Sequence, residues 1–349
     1  MQFLLYLFLL SVFCLVSDQS PAADSTQPSR WIGVVDEQTS SFGWPGSGFT
    51  VRFSGAALSV TLENSGRMSM IVDIDGSKTR LDLDAGRQSY QVASGLPQGM
   101  HLARLTRRAE NISGDTTFVS ASTDGAFLPD RPADRKLLIV GDSISVGYGL
   151  EGQGVACPPN ADLTNSDLTY GALTARHFNA DLATIAVSGI GISKNDPGLA
   201  TPTMIRMLDK PTPSTPQDAG AAIKDAGPFQ IVVVNLGTND FGGGKRPTSF
   251  VADDRTLLAR IRALQPQALI YAVLGPMLDT ADFAAAEQAI NDAVRLRQQD
   301  GDRNIQYLRL KNGLSTGLGC DWHPNAEAHR VLADIFTNAI RHDTGWSFP

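Results

Sequence analysis

The hydrophobic pattern of this 349-residue chain changes character near residue 130, and that change constrains the fold more than any other feature. Before it, short runs rich in β-branched and aromatic residues alternate apolar with polar positions, as half-buried antiparallel strands do. The runs are FTVRF (49–53), ALSVTLE (57–63), MSMIVDIDG (68–76), RLDLD (80–84), SYQVA (89–93), HLARLTRR (101–108) and TTFVSAS (116–122). This density of strands predicts an all-β sandwich or jelly-roll domain over residues 28–128.

Beyond a proline-containing linker at 129–135, apolar runs alternate with helical patterns. The runs typical of buried parallel strands are KLLIV (136–140), LATIAV (182–187), IVVVNL (231–236), LIYAVL (269–274) and IQYLRL (305–310). Apolar stripes at helical spacing lie at Leu257–Leu264, Phe283–Val294 and Val331–Ile340. This alternation predicts a three-layer α/β domain with a five-stranded parallel sheet over residues 136–343.

Composition and charge exclude several classes of partner. Apolar residues make up 42% of the chain and charged residues 19%, which is enough apolar material for a globular core. The net charge is −7 and no run of Lys or Arg occurs, so we expect neither nucleic acid nor an anionic membrane as a partner. We expect a monomer.

The N-terminus carries an apolar run from Phe3 to Val16. It is too short to span a bilayer comfortably and fits the core of a signal peptide, which we place at residues 1–22. A secreted or periplasmic protein follows from that reading, with no membrane attachment after cleavage. The alternative is a buried N-terminal helix.

Polar clusters follow three of the predicted parallel strands. They are Gly141–Ser143, Ser188–Gly191 and Gly237–Asp240, and a fourth cluster, Cys320–Asn325, precedes the last helix. Ligands of such sheets bind beyond the carboxyl ends of the strands, so we expect all four clusters at one edge.

These clusters contain the residue types that acyl transfer needs. A serine hydroxyl such as that of Ser143 is a weak nucleophile and needs an adjacent base, for which His323 is suited. A third group must orient the base, and Asp321 is the nearest carboxylate. The N–H groups of Ser143 and Gly189 and the amide of Asn239 could stabilise an oxyanion. Simpler roles remain open: Ser143 and Asn239 could cap turns, and Gly191 competes with Gly189.

The four clusters, in this order, resemble the sequence blocks of the SGNH, or GDSL-type, hydrolases over residues 136–341. The β-rich segments WPGSGFTVRFSG (44–55), DIDG (73–76) and GLPQGMHLARLTRR (95–108) extend the resemblance, over residues 31–341, to carbohydrate esterase family two. That family removes acetyl groups from plant polysaccharides such as xylan and glucomannan. The resemblance implies a flavodoxin-like SGNH domain, with Ser143 as nucleophile, His323 as base, and Gly189 and Asn239 as oxyanion donors.

One departure from the SGNH pattern concerns the acid. Many SGNH enzymes place it three residues before the histidine, where this chain has Cys320, whereas Asp321 lies two residues before. Two alternatives stay open: a triad that includes Asp321, or a Ser–His dyad oriented by a backbone carbonyl.

Other residues near these clusters are given roles with an alternative beside each. Trp322, Phe241 and Tyr148 are candidates for stacking on a sugar ring, or for packing. Asp142 and Asp240 are expected to stabilise loops or helix starts. Cys157 and Cys320 either form a disulfide between two loops of the site or remain free thiols.

The sequence therefore predicts an exported serine esterase that removes acetyl groups from a polysaccharide or oligosaccharide through an acyl-enzyme, with no metal or organic cofactor. Two rivals are a lipase or lysophospholipase of the same superfamily, and a carbohydrate-binding protein with secondary esterase activity.

Overall fold

The computed structural model describes residues 23–112, 114–157, 161–216, 222–310 and 317–348. The signal peptide predicted at 1–22 lies outside these residues. Within them, no helix is both long enough and apolar enough to cross a membrane.

The N-terminal part is built of antiparallel strands, and all seven runs predicted as strands lie in them. The strands are β1 (Ala23–Ser25), β2 (Arg30–Ile32), β3 (Ser41–Phe42), β4 (Gly48–Gly55), β5 (Leu58–Asn64), β6 (Met68–Ile74), β7 (Ser77–Leu83), β8 (Gly86–Ala93), β9 (Gly99–Arg107), β10 (Thr116–Thr123) and β11 (Phe127–Leu128). The short strand β1 lies before residue 28, the predicted start of the β domain.

These strands form the two sheets of a β-sandwich. One sheet has the order β1-β10-β5-β8 with β3 beside β10, and the other has the order β11-β4-β9-β6-β7 with β2 beside β4. Alternate residues of the facing strands make one apolar core, in which Phe49 and Phe118 meet edge to face with ring centroids 4.8 Å apart. The polar–apolar alternation of the sequence is thus the consequence of one buried face per sheet.

The C-terminal part contains a five-stranded sheet, and the five predicted parallel strands are confirmed. They are β12 (Lys136–Gly141), β13 (Asp181–Ala186), β14 (Ile231–Asn235), β15 (Leu269–Val273) and β16 (Ile305–Tyr307). Their order is β13-β12-β14-β15-β16 and every pairing is parallel. In this order β13 and β14 lie on opposite edges of β12, so the chain runs from β12 first in one direction along the sheet and later in the other. The loops after these strands therefore diverge at β12 and leave a crevice.

Helices lie between these strands and after the last of them. They are α1 (Ser143–Val146), α2 (Tyr170–His177), α3 (Met204–Met207), α4 (Ala222–Ala226), α5 (Thr238–Phe241), α6 (Phe250–Leu264), α7 (Thr280–Gln299) and α8 (Ala326–Thr344). Leu138 and Val140 of β12 join one apolar cluster with α6 and α7, while Leu137 and Ile139 join another with α2 and α8. Val331, predicted in the buried stripe of α8, is 47% exposed instead, because the buried face runs through Leu332 and Phe336.

The β-sandwich and the parallel-sheet part share a buried interface. Val34 and Trp44 of the sandwich are completely buried in the apolar cluster that includes α6 and α7. The indole N–H of Trp44 donates to the carbonyl of Lys210 at 3.1 Å. Arg108, just after β9, is also buried and its guanidinium reaches Glu151 at 2.5 Å and the carbonyl of Thr164.

Candidate active site

Ser143 is the first residue of α1 and lies just beyond the carboxyl end of β12. Asp142 caps this helix, since its side chain accepts the N–H of Ile144 at 3.0 Å, which confirms the helix-start role predicted for it. Burial raises the pKa of the Asp142 carboxyl to about 7. Ser143 itself is only 7% exposed, so its hydroxyl is held in a largely dry position.

His323 connects the serine hydroxyl to a backbone oxygen. The hydroxyl of Ser143 lies 2.8 Å from Nε2 of His323, and Nδ1 of the same ring lies 2.9 Å from the carbonyl oxygen of Asp321. Since a carbonyl can only accept, Nδ1 must carry the proton and Nε2 must accept from Ser143. The arrangement brings together a hydroxyl, an imidazole that can accept its proton and a group that orients the imidazole, which are the groups that acyl transfer requires.

The carbonyl, and not the carboxylate, of Asp321 therefore fills the orienting position. Asp321 has a φ of 51° and Trp322 a φ of 62°, two consecutive left-handed residues that turn the Asp321 side chain outward. The N–H of Asp321 donates to the carbonyl of Val155 at 3.1 Å, which holds this strained segment in place. Of the two alternatives left open by the sequence, this geometry has the hydrogen bonding of the dyad.

A disulfide lies directly beside this segment. Cys157 and Cys320 are bonded, with 5.3 Å between their Cα atoms. The N–H of Cys320 also donates to the carbonyl of Gly149 at 3.0 Å. A side chain at Gly152 would meet both sulfur atoms, at 2.4 and 3.0 Å, so the loop after α1 can approach the disulfide only as glycine. The loop that follows Ser143 and α1 is thus joined covalently to the segment that carries His323.

Burial lowers the pKa of His323, while the carbonyl and the charge of Asp321 act in the opposite direction. A base with a lowered pKa stays neutral at more acidic pH than a free histidine, so its acceptor Nε2 is present throughout the neutral range. The ring of Tyr148 packs on the His323 ring, with centroids 4.7 Å apart. It contributes to the burial that lowers this pKa.

The residues predicted as oxyanion donors follow the three adjacent strands β13, β12 and β14. Gly189 has a φ of 83°, a conformation that favours glycine. The competing Gly191 uses its N–H for the side-chain oxygen of Asn195 at 3.0 Å, which leaves Gly189 as the better candidate. Asn239 donates one amide hydrogen to the carbonyl of Ile190 at 2.8 Å and keeps a second hydrogen for another acceptor.

The three aromatic candidates for sugar contact differ in exposure. Trp322 is 63% exposed beside His323, and Tyr148 is partly exposed. The prediction that Phe241 stacks on a sugar is wrong, because that side chain is only 4% exposed and packs edge to face against Phe250. Its packing role, the stated alternative, holds.

Glu110 is a residue of this region that the sequence did not reveal. It lies after β9 in the sandwich, and its carboxylate accepts the N–H of Ser188 at 2.9 Å, one residue before Gly189. Its negative charge and that of Asp321 both act on Tyr148, whose pKa is raised by burial and by these two carboxylates. No motif marks Glu110, because its contact joins residues 78 positions apart in two different domains.

Among the described residues, no group of three or more His, Cys, Asp or Glu side chains is placed so that it could hold a metal ion.

Two family models match this chain, one over the β-sandwich and one over the part with the parallel sheet. Residues 32–132 match the family model described as carbohydrate esterase 2 N-terminal, and residues 139–331 match the GDSL-like lipase/acylhydrolase family.

Among curated proteins, the chain is 30% identical over 308 residues to a cellulase/esterase, CelE, of Acetivibrio thermocellus, covering 87% of this chain. The chain spans 38% of the length of that relative. It is 27% identical to an acetylxylan esterase/glucomannan deacetylase of Cellvibrio japonicus, over 95% of this chain and 96% of the relative. A solved family two carbohydrate esterase from Clostridium thermocellum, in complex with cellohexaose, superposes with a TM-score of 0.85 at 29% identity, covering 91% of this chain and 99% of that one.

Proposed function

The chain belongs to the GDSL-like lipase/acylhydrolase family and carries the N-terminal domain of carbohydrate esterase family two, and from this premise we propose that it is a serine esterase that removes O-acetyl groups from polysaccharide. The observation that carries the proposal is the hydrogen-bonded series from the Ser143 hydroxyl through His323 to the Asp321 carbonyl, at 2.8 and 2.9 Å.

Acylation begins when Nε2 of His323 takes the hydroxyl proton of Ser143 and Oγ attacks the acetyl carbonyl carbon. The charge that develops on the carbonyl oxygen is stabilised by the N–H groups of Ser143 and Gly189 and the free amide hydrogen of Asn239. The proton on Nε2 then passes to the departing sugar oxygen, and the C–O bond of the ester breaks. An acetyl-enzyme and a free sugar hydroxyl result.

Deacylation repeats these steps with water as the nucleophile. His323 takes a proton from the water, the hydroxide oxygen attacks the acetyl carbonyl, and the proton returns to Oγ of Ser143 as acetate leaves. During both steps the Asp321 carbonyl accepts the Nδ1 hydrogen, which stabilises the imidazolium by a dipole in place of a full charge. The electron and proton balance needs no metal or organic cofactor.

The substrate side of the proposal rests on the named activities of the relatives and on the groups around the site. The relatives include enzymes named acetylxylan esterase/glucomannan deacetylase, so we infer an acetylated xylan or glucomannan, or an oligosaccharide of that type, as substrate. The exposed ring of Trp322 offers an apolar face to a sugar, and the partly exposed ring of Tyr148 offers a second. The carboxylates of Glu110 and Asp321 can accept hydrogen bonds that sugar hydroxyls donate, and their negative charges repel anionic chains.

The organisation we propose is a signal peptide at 1–22, a β-sandwich at 28–128, a linker at 129–135 and an SGNH domain at 136–343. Apolar clusters on both sides of the parallel sheet support the three-layer, flavodoxin-like arrangement for that domain. We propose that the protein acts as a monomer outside the cytoplasm, in the periplasm or the medium, where its polymeric substrates are found.

Acetate release from acetylated xylan, glucomannan, pectin and peptidoglycan tests the proposal, with short-chain and long-chain esters as further substrates. We expect acetate from xylan or glucomannan and no turnover of long-chain esters. Ser143→Ala should abolish release while leaving the fold intact. The matched control is Ser145→Ala, which removes a buried hydroxyl of the same helix that contacts Tyr170 at 2.8 Å. An active Ser143→Ala protein would refute the assignment.

A further inference from the structure

The carboxylate of Asp240, which the mechanism above does not use, accepts hydrogen bonds from three consecutive backbone N–H groups. Its Oδ2 lies 3.0 Å from the nitrogen of Ile192, and its Oδ1 lies 2.8 and 2.9 Å from the nitrogens of Ser193 and Lys194. Asp240 is completely buried, so water cannot replace these bonds if the carboxylate is lost. The loop that follows Gly189 is therefore fixed from the strand-end helix α5.

The neighbouring Asn239 binds the same loop as a hydrogen-bond donor, whereas Asp240 binds it as an acceptor. Its Nδ2 donates to the carbonyl of Ile190 at 2.8 Å, two residues before the first N–H that Asp240 accepts. That bond fixes the plane of the amide and leaves its second hydrogen with a single direction. If the loop moved, the carbonyl of Ile190 would move with it and the amide of Asn239 would turn.

Gly189 is the third part of this arrangement. Its carbonyl accepts the N–H of Asp196 at 2.8 Å, so the loop closes on itself just beyond the segment that Asp240 holds. The position of the loop thus sets the Gly189 peptide and the Asn239 amide together. Both are the donors that the proposed mechanism assigns to the oxyanion.

The carboxylate of Asp254, a second buried aspartate in this region, provides a comparison for Asp240. Asp254 of α6 is also buried, its Oδ2 has no hydrogen-bond partner among the described residues, and burial together with the charge of Asp240 raises its pKa to about 8. Asp254 has the same chemistry and the same burial as Asp240 without any bond to the loop. It therefore serves as a matched control.

We propose that Asp240 is the positioning residue of the oxyanion hole, acting through the loop 190–194 on the amide of Asn239 and the N–H of Gly189. This inference rests on the proposed function. A donor that is already aimed at the oxyanion needs no reorganisation during the reaction, and this preorganisation is the source of its catalytic effect. Asp240 contacts no reacting atom itself.

The test is a double-mutant cycle in the full chain, with kcat and KM measured on a soluble acetyl ester. Asn239→Ala should lower kcat about 100-fold to 1000-fold, the loss found for an oxyanion donor. Asp240→Asn keeps the size of the side chain but replaces one acceptor oxygen with an NH₂ group, which cannot accept a hydrogen bond from the backbone N–H that faces it. We expect kcat to fall about 10-fold to 100-fold with KM unchanged. The double variant should lose less than the product of the two single losses, because the part of the Asp240 effect that acts through the Asn239 amide disappears once that amide is removed. Asp254→Asn should keep the kcat of the parent protein.

Gly191→Ala provides a second approach if Asp240→Asn does not fold. A Cβ at Gly191 would collide with the carbonyl oxygen of Lys194 and lie 2.8 Å from Oδ2 of Asp240, so it displaces the loop from the carboxylate without removing the carboxylate. We expect the same loss of kcat, again not additive with Asn239→Ala. Losses that multiply in the double variants, or a parental kcat in Asp240→Asn, would overturn the inference. An inactive Ser143→Ala protein in the same series would show that the proposed function survives that outcome.

Discussion

A histidine that acts as a general base must have its Nδ1 hydrogen held, because a ring that turns loses the hydrogen bond from the nucleophile. In this protein the carbonyl oxygen of Asp321 holds it at 2.9 Å. A carbonyl is a weaker acceptor than a carboxylate, but it is part of the backbone and is fixed by the left-handed conformation of Asp321 and Trp322. Orientation is thus supplied by backbone geometry, and the side chain of Asp321 is left free to face solvent.

Asp321→Asn separates the two roles of this residue. Asparagine tolerates the left-handed conformation, so the carbonyl should keep its place and kcat should fall less than about tenfold. A triad carboxylate would instead cost about 10⁴-fold in kcat when changed to its amide. The measurement is kcat on an acetyl ester, with Asp334→Asn on the exposed side of α8 as the control for loss of one negative charge. A 10⁴-fold loss would contradict the dyad.

The sequence predicted the positions of the site residues from one rule about strand ends. Ser143, Gly189 and Asn239 follow three strands whose apolar runs are plain in the sequence, so their meeting at one edge could be expected. The sequence left the orientation of His323 open between the Asp321 carboxylate and a backbone carbonyl, since the choice depends on two positive φ values at Asp321 and Trp322 that no sequence pattern requires. Glu110 was not predictable either, because its contact with Ser188 crosses between domains.

At the scale of elements, length decided what the sequence could predict. Strands of five or more residues show the alternation or the apolar run of their class, and the predicted ones lie where expected. Of the five strands with only two or three residues, β1, β2, β3 and β11 lie in segments too short to carry a pattern, and none of them was predicted. The fifth, β16, was predicted because it begins the longer apolar run IQYLRL (305–310). The helical stripe of α8 was placed correctly, with Val331 as the one member on the exposed side.

The disulfide acts at this scale, between the loop that follows α1 and the turn that precedes His323. It closes a loop with a sequence separation of 163 residues. We expect the Cys157→Ser/Cys320→Ser double variant to lose about 2–5 kcal/mol of the free energy of unfolding, measured by denaturant titration. We also expect kcat to fall, because the carbonyl of Asp321 lies one residue from the lost bond. The Cys157→Ser single variant should behave like the double one, and an unchanged midpoint with unchanged kcat would contradict this role.

At the scale of the whole molecule, the β-sandwich and the parallel-sheet domain share one apolar cluster. Trp44 belongs to the sandwich by sequence, yet it is buried with residues of the parallel-sheet domain and bonds to the carbonyl of Lys210. Arg108 and Glu110 contact the loops after α1 and β13. The sequence indicated two domains correctly but gave no sign of this interface, since contacts between distant segments leave no periodic pattern. The sandwich therefore contacts loops of the site directly, and we expect the two domains to unfold together.

Trp44→Ala tests whether the two domains unfold together. Removing a completely buried indole should cost about 3–5 kcal/mol, and the carbonyl of Lys210 would lose its donor. If the shared core couples the domains, calorimetry of the parent protein should show one transition with equal calorimetric and van't Hoff enthalpies. In the variant that whole transition should move to lower temperature, and heat inactivation of esterase activity should move with it. Met100→Ala, at a position of the sandwich that is 70% exposed, should leave the transition within a degree or so of the parent, because exposed positions contribute little. The contrary result would be two resolved transitions, of which Trp44→Ala shifts one and activity is lost in the other. It would show that the parallel-sheet domain is stable without the contact of Trp44.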